Sequence, residues 1–280
     1  MILELLKVKQ YYKNLLIFLP LIFVGRLLDL DLFILTAMGF ALLCFISSSS
    51  YIINDLADQK KDQLHPEKRT RPIASGKISK SLAVFISIML AIVSLSAAFY
   101  LSRGFFITLA ILFILTQLYT FFLKQEPFID IITIAINFVL RAVSGAVLIN
   151  VETSPWLIIC VFSLSLFLST GKRFGDILYL KEKAYETRAV LKYYSKDVAQ
   201  FLMTLTTVIL ILSYALYSFL GVHKNLILTL PFAFYVILRY TSLVYSNSII
   251  ARHPEMIYND YKLILGILFW SLATIIIIYL

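Results

Sequence analysis

Charge is scarce in this sequence: 15% of its 280 residues are Asp, Glu, Lys or Arg, where a soluble domain carries about 25%. Cysteine is nearly absent, with two in the whole chain, which excludes a disulfide-stapled secreted scaffold. Both lie in apolar runs, so Cys44 and Cys160 read as small packing residues rather than a disulfide or metal pair. His65 has no second His or Cys at zinc-ligand spacing and reads as a loop residue. No Gly-rich linker or low-complexity tract divides the chain. Acids are the scarcer charge, 16 against 25 Lys and Arg, for a net +9. The basic residues are not interleaved with exposed aromatics on a polar segment, so no nucleic-acid partner is expected.

What is abundant is hydrocarbon. Sixty per cent of the residues are hydrophobic, which rules out a disordered chain and argues against a soluble fold. Nine apolar runs approach the roughly 20 residues that a helical crossing requires. They cover about 14–32, 33–53, 81–101, 104–123, 128–149, 155–175, 200–220, 225–245 and 263–280. The expectation is an all-α membrane protein of nine transmembrane helices, forming a single integral membrane domain over 1–280. Neither a cleavable leader nor a lipidation motif is expected at the ends.

Basic residues sort by loop. The N-terminal segment and the connections after runs two, four, six and eight hold about 20 of them, which places those segments in the cytoplasm. The outer connections hold Arg26, Arg103 and Lys224. The expected home is the plasma membrane, with the N-terminus inside and the C-terminus outside. Two inner connections are long and polar, about 54–80 and 171–199, and long structured loops usually carry function.

The second run ends in Asn54-Asp55-Leu56-Ala57-Asp58, followed by Asp62. On a continuing helix these four polar residues share one face. Three carboxylates on one face repel unless a cation sits among them. A hard ion such as Mg²⁺ takes oxygen ligands and bridges carboxylates to substrate phosphates. Carboxylates at the membrane boundary are costly and default to functional candidates. Downstream, Lys68, Arg69 and Arg71 make an anion-collecting segment. The second long connection opens on Gly171-Lys172-Arg173-Phe174-Gly175-Asp176, and Arg and Lys there suit phosphate. Glu182, Glu186 and their basic neighbours read as an ion-paired surface helix.

Further polar residues point the same way. Lys13 and Asn14 stand where phosphate headgroups lie. Tyr119, Lys124 and Asp130 bracket the fourth connection. Asp130, Thr133, Asn137, Arg141 and Ser144 form a stripe at helical spacing, which must face protein or a cavity. Arg141 needs a partner at that depth, either an acid such as Asp130 or a substrate anion.

Asn-Asp-x-x-Asp-x-x-x-Asp at the end of a second transmembrane helix resembles the first signature of the UbiA superfamily of intramembrane prenyltransferases. That resemblance implies a nine-helix bundle with cytoplasmic active-site loops after spans two and six, and Asp residues that bind Mg²⁺ and a substrate diphosphate. Lys-x-Lys-Gln-x-x-Lys-Asn at 7–14, His-Pro-Glu-Lys-Arg-x-Arg-Pro-Ile at 65–73, Phe-Ile-Asp-Ile at 128–131 and Gly-Lys-Arg-Phe at 171–174 are similar to its polyprenyl-phosphate (decaprenyl-phosphate-type) phosphoribosyltransferase branch. Lys7, Tyr11 and Asp176 stand where that branch is expected to carry Arg, Trp and Glu. Ordinary members have a second acid pair in the second loop, where this chain has one early acid, Asp176.

The resemblance implies transfer of a 5-phosphoribosyl group from 5-phosphoribosyl diphosphate to a polyprenyl phosphate. Asn54, Asp55, Asp58, Asp62 and Asp176 would be catalytic, with Mg²⁺ on Asp55, Asp58 and Asp62. Lys13, Asn14, Lys68, Arg69, Arg71, Tyr119, Lys124, Asp130, Asn137, Arg141, Lys172 and Arg173 would bind substrate. Asp176 would orient Arg173, bind metal or contact ribose. Membrane lipids are the surroundings, and self-association is left open. The competing enzyme reading is a prenyl transfer onto an aromatic or glycerol-phosphate acceptor. The competing reading of another class is a small-molecule transporter, which predicts broken helices or paired midplane charges in both halves.

Overall fold

The computed structural model describes residues 1–64, 68–180 and 189–280, and its regular structure there is helical. His65, Pro66, Glu67 and the 181–188 segment with Glu182 and Glu186 lie outside the described residues. Among the described residues, eight helices are long and apolar enough to cross a membrane. We label them α1 (Leu30–Ala57), α2 (Lys80–Leu101), α3 (Arg103–Phe121), α4 (Ile129–Leu148), α5 (Pro155–Leu180), α6 (Lys196–Leu220), α7 (Leu230–Tyr245, led in by a 3₁₀ turn at Lys224–Thr229) and α8 (Tyr261–Tyr279). Their starts follow from side-chain oxygens that accept the first free backbone N–H groups. Asp29 receives Leu32 N, Ser79 Leu82 N, Ser102 Phe105 N, Ser195 Val198 N and Asp260 Leu263 N. The outward faces are hydrocarbon: Leu265, Leu268, Phe269, Leu272 and Ile276 on α8 are all exposed. Such a surface would be an aggregation hazard in water and is the expected one in lipid. The chain is a multi-pass membrane protein.

Two expectations are corrected. The first run, 14–32, is not a long α-helix: it is a 3₁₀ segment, Val8–Phe18, continued by a short helix, Leu19–Phe23. Hydropathy registers apolar content and not winding. At about 2 Å per 3₁₀ residue and 1.5 Å per α residue the pair still reaches about 30 Å. The second long connection does not open at Gly171, because α5 continues to Leu180. Both α1 (28 residues) and α5 (26 residues) are about 40 Å long, some 10 Å more than a hydrocarbon core. Their polar ends therefore continue as helix past the length that a hydrocarbon core requires. The glycines in α5 serve close packing. A Cβ on Gly171 would meet the Tyr240 ring at 3.0 Å, and one on Gly175 would meet the Ala251 Cβ at 2.9 Å.

Contacts divide the chain into two compact units: Met1–Lys124 with Leu140–Glu152, and Gln125–Val139 with Thr153–Leu280. In the first, four consecutive buried serines on α1 tie the N-terminal segment, α2 and α3, since successive residues point about 100° apart. Ser47 donates to Asn14 Oδ1, Ser48 to the Leu6 carbonyl, Ser49 bonds Ser87 on α2, and Ser50 accepts from Gln117 on α3. Small hydroxyl residues act this way where no hydrophobic force drives helices together. The 3₁₀ segment crosses α4 at Gly145, where a Cβ would collide with the carbonyl oxygen of Ile17. A backbone atom cannot swing aside, so Gly145→Ala should cost about 3 kcal/mol through overpacking. A melting curve in detergent unchanged from wild type would refute this. The second unit is built on a core of Phe167, Phe174, Leu191, Tyr194, Met203 and Tyr240.

Candidate active site

The first cluster lies wholly in the first unit. Asp55 is on the last turn of α1, Asp58 is its C-cap, and Asp62 is on the helix Gln59–Leu64 that follows. The bonds Asp58 N to Asn54 O (2.9 Å) and Asp62 N to Asp58 O (2.8 Å) carry the helical pattern across the junction, as expected. Each acid meets a cation. Lys7 Nζ is 2.6 Å from Asp55 Oδ1, and Lys124 Nζ is 2.7 Å from Asp58 Oδ1. Arg71 Nη1 donates to both Asp55 Oδ1 at 2.9 Å and Asp62 Oδ2 at 2.7 Å. Asp55 and Asp62 are buried, while the Asp58 side chain is 22% exposed. Lys7 has a left-handed backbone (φ 52°), a strained state for a side chain of its size. Burial pushes its ammonium below the usual lysine range, and Asp55 opposes that shift.

Of the downstream basic segment, Arg71 reaches the acids. Lys68 is half-buried and Arg69 exposed, both on a 3₁₀ turn. Asn54 and Tyr119 are half-buried, and Lys13 lies over the Tyr12 ring at 5.8 Å. Asn14 is buried and accepts from Arg141 Nε at 2.9 Å while donating to Cys44 Sγ at 3.3 Å.

The second cluster lies wholly in the second unit. Asp130, fully buried at the start of α4, accepts from Arg173 Nε at 2.8 Å and from the Tyr194 hydroxyl at 2.7 Å. Of the two partners expected for Arg141, an acid such as Asp130 or a substrate anion, the first is corrected: Asp130 is taken up by Arg173 and Tyr194. Burial, then Asp130, pushes the Tyr194 phenol up. Asn137 donates to the Thr133 carbonyl at 3.0 Å. Asp176 meets Arg252 Nε at 3.3 Å, and the Arg252 guanidinium stacks 3.9 Å over the Tyr179 ring. The expectation that Asp176 orients Arg173 is thus replaced by an Asp176–Arg252 pair. In the same unit, burial would raise the Glu255 carboxyl, but the hydrogen bond with His253, then a backbone hydrogen bond, then the charge of Lys172 outweigh that and hold it at about 2.

Sequence reasoning missed Lys7, Tyr194, Arg252 and Glu255 as members of these clusters. Lys7 and Arg252 had a signal as basic residues in inner segments; Tyr194 had none.

Among the described residues no three of His, Cys, Asp or Glu converge as a preformed metal cage. The donor set nevertheless fits Mg²⁺. All three acids offer oxygen, and two of them already converge on one cationic atom, Arg71 Nη1. Mg²⁺ is commonly held by one or two carboxylates plus substrate phosphate rather than by an all-protein cage.

Together, the bundle of long apolar helices and the family match that follows make this an integral-membrane transferase. The chain matches the UbiA prenyltransferase family over residues 15–259 and belongs to it. It is 30% identical to the decaprenyl-phosphate phosphoribosyltransferase of Mycolicibacterium smegmatis over 79% of this chain and 71% of that one. It is 32% identical to the protein of that name from Corynebacterium glutamicum, over 76% and 66%. Its fold matches a UbiA homolog from Archaeoglobus fulgidus bound to DMAPP and Mg²⁺, with a TM-score of 0.74, 20% identity and 99% and 98% coverage.

Proposed function

We propose that the chain is a single catalytic membrane domain that transfers the 5-phosphoribosyl group of 5-phosphoribosyl diphosphate to a polyprenyl phosphate, with its inner loops cytoplasmic in the plasma membrane. The observation that carries this reading is the abundance of buried cations, Arg141 above all. It is 6% exposed and bonded through Nε to the neutral amide of Asn14. A guanidinium kept there has little use for a neutral aromatic acceptor and much for a phosphate. The similarity to decaprenyl-phosphate phosphoribosyltransferases supports the same substrates.

The bond from the anomeric carbon to the diphosphate oxygen breaks, and the diphosphate leaves with the electron pair. An acceptor phosphate oxygen forms the new bond to that carbon. The transition state is oxocarbenium-like, as in other glycosyl transfers. Asp55, Asp58 and Asp62 would hold Mg²⁺, which when bound supplies positive charge to the departing diphosphate. Arg71 and Lys124 share those carboxylates and present charge beside them. Asn54 orients a carboxylate or the ribose. Lys172 and Arg173 serve a substrate phosphate, with Asp130 and Tyr194 fixing the Arg173 fork. Lys13, Asn14, Lys68, Arg69, Tyr119, Asn137 and Arg141 complete substrate binding. The acceptor is already anionic near neutral pH, so no general base is required.

The test mixes purified protein with labelled 5-phosphoribosyl diphosphate and a polyprenyl phosphate, with and without chelator. Parallel mixtures hold a prenyl diphosphate with an aromatic acid or a glycerol-phosphate lipid. Chelator-sensitive label in the lipid fraction is expected from the first mixture; product from the parallel mixtures alone would defeat the reading.

A further inference from the structure

One stretch of α1 is unaccounted for by the roles above. Cys44, Ser47, Tyr51, Asp55 and Asp58 recur at spacings of three and four and so share a helix face. Cys44 and Ser47 bond Asn14, Asp55 bonds Lys7 and Arg71, and Asp58 bonds Lys124. The Tyr51 hydroxyl, midway along, makes no hydrogen bond to any described residue, and the side chain is half-buried. Lys7 Nζ stands 5.4 Å over its ring. Arg141 is held by Asn14, the same residue that Ser47 and Cys44 bond one and two turns before Tyr51 on this face. The hydroxyl therefore shares its helix face with the contacts that hold a guanidinium and carries an ammonium over its ring, one helical turn short of the acids.

We propose that Tyr51 is a substrate-contacting residue whose hydroxyl, with Lys7 and Arg141, forms a subsite for a phosphate monoester. Such a group offers several acceptor oxygens at once, enough for a phenol, an ammonium and a guanidinium. Arg141 supplies the attraction and Lys7 N–H donors, while the nearest acids of the stripe are matched by Lys7, Arg71 and Lys124, which mutes their repulsion of an anion. The bland alternative is an interfacial aromatic anchor, which requires the ring and not the hydroxyl. The two sources of the phosphate, the lipid acceptor and the 5-phosphate of the donor, rest on the functional reading above.

The experiment compares wild type with Tyr51→Phe, which keeps the ring under Lys7; melting temperature confirms that the fold is retained. Equilibrium binding is measured in detergent with chelator, so that no metal on the acids contributes. The probes are a polyprenyl phosphate, the matching uncharged polyprenol, 5-phosphoribosyl diphosphate and inorganic phosphate. Tyr51→Phe should weaken inorganic phosphate and one organic phosphate by about tenfold or more, the loss expected when a hydrogen bond to a charged group goes. The polyprenol should bind both proteins alike. A loss in the polyprenyl phosphate arm marks the lipid headgroup, and a loss in the ribosyl arm marks the donor's phosphate. Equal binding of all phosphates by both proteins overturns the subsite. Should wild type bind neither organic phosphate, the functional reading falls, and inorganic phosphate still tests the subsite: a hydroxyl-dependent affinity upholds it and an unchanged one overturns it.

Discussion

Asp58→Asn should cut the transfer rate roughly 10³-fold while leaving the protein folded. On the proposed function, loss of one carboxylate weakens the hold on Mg²⁺, whose charge would stabilise the departing diphosphate by several kcal/mol, at about 1.4 kcal/mol per factor of ten. The structural cost is small, because Asp58 pairs only partly out of solvent with Lys124, at 22% and 17% side-chain exposure, and such pairs contribute about 1 kcal/mol or less. Asp55 is a poorer probe. It is 3% exposed and accepts from both Lys7 and Arg71, so Asp55→Asn disturbs two buried cations as well as the chemistry. Initial rates at saturating Mg²⁺, set beside a melting curve, separate the two effects. An Asp58→Asn enzyme within tenfold of wild type would remove the acid cluster from the mechanism.

Arg173→Met should destabilise the second unit by about 3–5 kcal/mol, whatever it does to substrate binding. Its partner Asp130 is fully buried and the Arg173 side chain is 3% exposed. Removing the guanidinium leaves a fully buried carboxylate with the Tyr194 hydroxyl and no cation from Arg173, and stranding one member of a buried pair costs that much. The double variant Asp130→Asn, Arg173→Met removes the stranded charge and should regain a large part of the loss. Four proteins in a thermal or denaturant melt complete the cycle. Additive losses, or an Arg173→Met protein that melts with wild type, would show that the pair does not hold the fold.

The acid stripe was legible in the sequence because it depends on one local quantity, the turn per residue of a helix, and Asp55, Asp58 and Asp62 do follow one another on a nearly unbroken helical path. Arg141 was legible as a polar residue within an apolar run that needs protein around it, and it is buried; Asn14, expected at the level of the phosphate headgroups, is buried as well. The 3₁₀ winding of the N-terminal segment was not, since its apolar content is the same in either winding. Nor was the reach of α5 past Gly171. A glycine followed by charged residues carries the composition of a turn, and only the approach of Tyr240 and Ala251 shows why glycine is there.

Membrane residence, the placement of the eight long helices and the common face of the aspartates follow from hydropathy and periodicity, properties that each stretch of chain possesses alone. The pairing of charges is different in kind. Asp55 could attract any cation, and its partners Lys7 and Arg71 come from distant segments. Asp176 finds Arg252 and Asp130 finds Arg173 in the same way. Coulomb attraction names no partner; the packing of backbones does, by deciding which opposite charges come within reach once water is excluded.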